Sequence, residues 1–178
     1  MKQENSPLRR EIAVADVPRA GLDIEVEANA SERAEIARRF NLLSVEALRG
    51  SYRVSPLSRG ARVKGEVTAR LRQTCVVSLD SFEADLREPV ELTFAAEGSS
   101  VEATGRIEIS PDDEDPPEPL CNGKIDLGAV TLEFLALGLD PHPRKPGVEF
   151  VHEKSAADRE ASPFAALARH QAARPSKK

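Results

Sequence analysis

The chain has 178 residues, enough for one well-buried domain with tails and too few for two. Its 25 lysines and arginines against 30 acidic residues leave a net charge of -5, which excludes a global cationic field toward nucleic acid or anionic lipid. With no tryptophan and one tyrosine, Tyr52, it lacks the flat side chains that stack on unpaired bases.

No apolar run approaches about 18 residues, and MKQENSPLRR has no apolar core, so a soluble cytoplasmic protein with no membrane partner is expected. LDIEVEA, residues 22–28, alternates Leu22, Ile24, Val26 and Ala28 against Asp23, Glu25 and Glu27, which predicts a half-buried strand. Asn29 and Glu32 form a capping-box variant ahead of a helix in SERAEIARRF, whose narrow apolar face is Ala34, Ile36 and Ala37. Residues 45–57 predict a further strand, ended by Pro56.

From 61 to 74 the alternation is clean. Ala61, Val63, Gly65, Val67, Ala69 and Leu71 share one side; Arg62, Lys64, Glu66, Thr68, Arg70 and Arg72 share the other. SFEADLREPVELTF, residues 81–94, alternates again, and the short connection between the two runs predicts a hairpin. A register in which paired numbers sum to 155 sets Arg72 by Glu83, Arg70 by Asp85 and Lys64 by Glu91, with opposite charges facing each other. The basic row therefore reads first as a neutralised strand face and second as a track for RNA phosphates. Cys75 continues the apolar side.

VEATGRIEIS, residues 101–110, predicts a short strand, and PDDEDPPEP, residues 111–119, a solvated acidic loop. Asp126 caps a helix from about Leu127 to Leu139, closed by Asp140 and Pro141. That helix is apolar nearly all round apart from Glu133, which belongs at its wet edge or against an arginine, because burying it alone costs stability. After His142 the chain is polar and proline-rich, with an amphipathic SPFAALARHQA on Phe164 and Leu167.

Charge is blocked along the chain. Ser31 to Ser78 holds ten basic residues against four acids, Leu79 to Asp126 three against fourteen, and His142 to the end eight against four. Catalytic patterns are missing: His142, His152 and His170 lie in the last part with no nucleophile pattern, and no phosphate loop or dinucleotide fingerprint occurs. Cys75 and Cys121 are far apart, so reduced thiols are the default, and neither Cys75-Val76-Val77-Ser78 nor the acids at 112–115 make a rigid metal site. No enzyme activity, metal or other cofactor is expected.

The succession of an amphipathic strand into TCVVSLDSFEADLREPVELTF, an acidic loop, IDLGAVTLEFLALGLDPHPR and a closing SPFAALARH resembles the YceD-like family, the large ribosomal RNA subunit accumulation proteins. The matching positions are Cys75, Leu79, Ile125, Asp126, Leu127, Glu133, Pro141, Pro163, Phe164 and Leu167. The chain departs from the family pattern at Ser78, where relatives carry a second cysteine, and in PHPRKPGVEF, which lacks later cysteines; if relatives hold zinc there, this chain has lost the ligands.

The resemblance implies a non-catalytic accessory of large-subunit assembly supporting synthesis, processing or stability of 23S rRNA. Its partner is 23S rRNA or a large-subunit precursor, or, as an adaptor, a ribosomal protein, an assembly factor or an RNA-processing enzyme. The expected fold is α+β, a curved, mainly antiparallel sheet or partial β-barrel with a buried C-terminal helix and flexible tails. An N-terminal segment (1–19), a YceD-like domain (20–150, with the acidic loop at 111–119) and a tail (151–178) with a short helical motif make up the chain. The candidate RNA-contact residues are Arg53, Arg59, Arg62, Lys64, Arg70 and Arg72.

Overall fold

A computed structural model describes residues 6–95 and 117–150. The chain divides into two units, Met1–Pro146 and Gly147–Lys178, and every element named below belongs to the first. The strands are β1 (Glu11–Ala13), β2 (Leu22–Glu27), β3 (Ser44–Leu57), β4 (Gly60–Thr74), β5 (Ser81–Ala95), β6 (Glu118–Pro119) and β7 (Lys124–Asp126); the helices are α1 (Ala30–Arg39) and α2 (Leu127–Gly138).

The fold is mixed α+β. One sheet has the order β2-β3-β4-β5-β6, antiparallel except for the β5/β6 contact, and β1 pairs with β7 in a separate ribbon. The sheet is open, with β2 and β6 at its edges, and is not closed into a barrel. The β4/β5 register pairs Arg72 with Glu83, Arg70 with Asp85 and Lys64 with Glu91, the register expected from the sequence. A bulge between Val45 and Ala47 shifts β3 against β4, after which Leu48, Tyr52 and Val54 hold the apolar side.

Pro56 does not end β3, which continues to Leu57. The β2 pairing stops at Val54, so Pro56 has a strand neighbour on one side only, where a missing N–H is tolerated.

The apolar sides of the long strands and both helices meet in one core, which includes Val26, Ile36, Leu48, Val63, Val67, Leu71, Leu127 and Leu135. Each fully buried leucine contributes roughly 1.5–3 kcal/mol before its entropy cost. The Asn29 side chain accepts from the N–H groups of Ser31 and Glu32 while Glu32 returns to the Asn29 N–H, completing the capping box. The buried face of α1 is Ile36 and Ala37; Ala34 lies outside it, exposed.

In α2, Leu127, Val130, Thr131, Leu132 and Leu135 are buried, whereas Glu133 and Leu137 face water. Glu133 thus takes the wet helix edge, with no ion pair among the described residues. Leu8 of the N-terminal segment is fully buried, and the Arg10 carbonyl accepts from the Leu127 N–H at 2.9 Å, so this segment crosses the start of α2. Of the acidic loop, Glu118 and Pro119 form β6; residues 111–116, the predicted strand at 101–110 and the tail motif with Phe164 lie outside the described residues. Among the described residues no helix is long and apolar enough to cross a membrane.

Candidate nucleic-acid interface

Because β4 alternates about a buried apolar row, its even-numbered side chains from Arg62 to Arg72 project on the opposite, water-facing side of the sheet. The registers bring Arg53 of β3 beside Lys64, and Arg62 between Ser55 and Thr93. Arg70 and Arg72 stand further along the same face, and Arg59 is exposed in the tight turn joining β3 to β4. Five of the six predicted contact residues therefore share one sheet face, with Arg59 at its end.

The same pairing brings acids to them. Arg53 Nη1 meets Asp23 at 2.6 Å, Lys64 Nζ meets Glu91 at 2.7 Å, and Arg70 Nε meets Asp85 at 3.0 Å. Arg87 meets Glu66 at 2.7 Å and Arg49 meets Glu27 at 3.6 Å on this face as well. Arg72 donates to the Ser81 hydroxyl at 3.3 Å, opposite Glu83. The Lys64 ammonium, helped by the charge of Arg62, holds the Glu91 carboxyl below the ordinary carboxylate range.

The face is consequently a mosaic of exposed ion pairs, each weak because both partners remain in water. Arg62 differs: it is half-buried, and its Nε has no hydrogen-bond partner. Residues Asp23, Glu27 and Arg49 were missed as members of the surface; the alternation of β2 and β3 marks them as wet-face positions, but their registers were not readable.

The β4–β5 turn places Cys75 beneath the surface. Its thiol is solvent-inaccessible, and Sγ accepts from the N–H groups of Val77 and Ser78, both at 3.4 Å. Hydrogen bonds from the Ser78 side chain and from the backbone N–H groups of Ser78, Lys145 and Val77 pull its pKa down to about 6, against the opposing effect of burial. Leu79 closes the turn with a left-handed backbone (φ 62°), donating to the Cys75 carbonyl at 3.0 Å, and its side chain points into water. Among the described residues no group of three or more histidine, cysteine or acidic side chains is placed to hold a metal ion.

Asp126 acts structurally. Its Oδ1 caps α2 through the N–H groups of Gly128 and Ala129, at 3.0 and 3.2 Å, and also accepts from the Arg10 N–H at 2.9 Å.

A family model described as "Large ribosomal RNA subunit accumulation protein YceD" matches residues 63–170, which begin within β4 and take in the Cys75 turn, β5 and α2. No curated protein and no solved structure matches the chain.

Proposed function

The chain belongs to the YceD family, and from that premise we propose that it is a non-enzymatic accessory of large-subunit assembly that supports synthesis, processing or stability of 23S rRNA. The family match over residues 63–170 is the observation that carries this reading. The contact we assign to it is phosphate binding, without base specificity, by Arg53, Arg59, Arg62, Lys64, Arg70 and Arg72. Five of these side chains share one face with Arg59 at its end, and the carboxylates paired with Arg53, Lys64 and Arg70 are exposed, so exchanging those weak pairs for phosphate forfeits little.

Depletion of the protein in growing cells tests the function. A fall in the ratio of 23S to 16S rRNA, reversed by resupply, supports it; an unchanged ratio while growth depends on the protein refutes it.

The neutralisation of the sheet face favours a second reading, an adaptor that binds a ribosomal protein or an RNA-processing enzyme without touching RNA. Association with large-subunit precursors that survives RNase treatment selects the adaptor, and association that RNase abolishes selects direct RNA contact.

A further inference from the structure

Away from the basic face, a cleft of about 200 Å³ lies between the end of β5, the β6–β7 connection and α2. Leu92 and Phe94 of β5 and Val130 of α2 give it an apolar floor. The charged lining residues are Glu11, Glu118, Asp126 and Glu133 against a single base, Lys124.

Two of those acids are already engaged. Asp126 Oδ1 receives three backbone N–H groups, and Glu11 holds Arg9 together with Lys124, whose Nζ lies 3.4 Å away. Glu118 and Glu133 are exposed and have no hydrogen-bond or ion-pair partner among the described residues. Lys124 is drawn to Glu11 and leaves them uncompensated, unlike the sheet face, where carboxylates stand beside the cations.

An apolar trough with two uncompensated carboxylates on its rim complements a long cationic side chain, whose methylene stem covers Phe94 and Val130 while its charged end meets Glu118 and Glu133. A phosphate backbone is repelled by the same rim. We infer that this cleft docks a lysine- or arginine-bearing segment of a partner protein. The inference does not rest on the RNA-contact reading, which concerns the sheet face.

The test is a titration of the isotope-labelled full chain, followed by backbone amide shifts, with a capped octapeptide alternating lysine and alanine; a glutamate counterpart and a short single-stranded RNA serve as comparison probes. The lysine peptide is expected to shift the Phe94, Val130 and Glu133 amides. Glu118→Gln combined with Glu133→Gln should weaken its binding about tenfold, as loss of two charge contacts implies. Ala129→Lys, which places a cation of the chain's own at the cleft, should weaken it as well, and Glu25→Gln with Glu46→Gln should not. Equal weakening by the Glu25/Glu46 variant reduces the effect to net charge and overturns the inference. Shifts confined to the sheet face, unchanged affinity in both cleft variants, or RNA shifting the cleft amides also overturn it.

Discussion

Arg70 and Asp85 meet across β4 and β5, with Nε and Oδ1 3.0 Å apart and both side chains in water. Such a pair adds little to stability, yet it helps fix the alignment of the two longest strands. Sliding β5 by two residues one way would set Arg70 against Arg87 and Glu66 against Glu91, like charge facing like. Sliding it the other way would set Lys64 against Pro89 but keep opposite charges facing at Arg62 and Glu91, Glu66 and Arg87, and Arg70 and Glu83, so the charges exclude only the first slip. The exposed ion pairs therefore disfavour one of the two slips, and the buried valines of the opposite side supply the energy.

If the face also receives RNA phosphates, its cations have to exchange carboxylate for phosphate. Reversing Arg59, Arg62 and Lys64 to glutamate is expected to weaken binding to 23S rRNA or to large-subunit precursors, and to flatten the salt dependence by about one unit of slope for each phosphate no longer neutralised. Filter binding over a salt series measures both. Affinity and slope equal to those of the parent protein remove this face as the RNA-binding surface.

The hairpin and the parity of its register were legible because two alternations, one apolar and one of charge, agree on which faces meet. The caps at Asn29 and Asp126 were legible because short polar side chains before apolar runs have few other uses. Strands of two or three residues carry no period, so β1, β6 and β7 were invisible, and with them the cleft that they border. Leu22 illustrates another limit: it keeps the alternation but lies at the start of an edge strand and remains 36% exposed.

Tyr52 is buried beneath α2, and its hydroxyl lies 2.7 Å from Thr131 Oγ1. Thr131 donates its only hydroxyl proton to the Leu127 carbonyl at 2.7 Å, so Tyr52 is the donor to Thr131. Tyr52→Phe should therefore cost about 0.5–1.5 kcal/mol, whereas Thr131→Val, which orphans a buried hydroxyl, should cost about 1–3 kcal/mol. Burial pushes the Tyr52 pKa up to about 12, outweighing the hydrogen bond to Thr131. Because the folded-state value is raised above the ordinary 10.0, its stabilisation is complete below pH 10 and lost as pH rises toward 12. Across that interval the advantage of the parent over Tyr52→Phe in denaturant melts should shrink and then reverse, because a shift from 10.0 to about 12 outweighs the lost hydrogen bond. A constant difference between them contradicts the assignment.

The thiol of Cys75 is displaced in the opposite direction, to about 6. Its contribution to stability is present above the ordinary thiol value of 9.0 and lost as pH falls through 6. Thiolate absorbance in a Cys121→Ser background should rise with a midpoint near 6, and Ser78→Ala should move that midpoint upward by removing the largest cause. Alkylation should nonetheless be slow, since the sulfur is covered. A midpoint near 9.0 would show that the turn does not hold Sγ against those donors.

Gly128, in the first turn of α2, determines whether the N-terminal segment can lie across the helix. A Cβ there would sit 2.6 Å from the Leu8 carbonyl oxygen and 2.9 Å from the Arg10 nitrogen, both backbone atoms that cannot step aside alone. Replacing a helical glycine by alanine ordinarily stabilises by about 0.5–1 kcal/mol. At Gly128 the sign should reverse, to a loss of about 1–3 kcal/mol, because the segment carrying buried Leu8 must lift. Gly138→Ala is the comparison: its Cβ meets side-chain atoms only, Glu88 Cγ at 2.5 Å and Leu86 Cδ1 at 2.9 Å, so new rotamers at Glu88 and Leu86 can make room without lifting a backbone segment. Leu8→Ala should cost about 2–5 kcal/mol in the parent protein and distinctly less in the Gly128→Ala background, where Leu8 has already been displaced. Equal costs in the two backgrounds would mean that the N-terminal segment is not seated on α2 through this glycine.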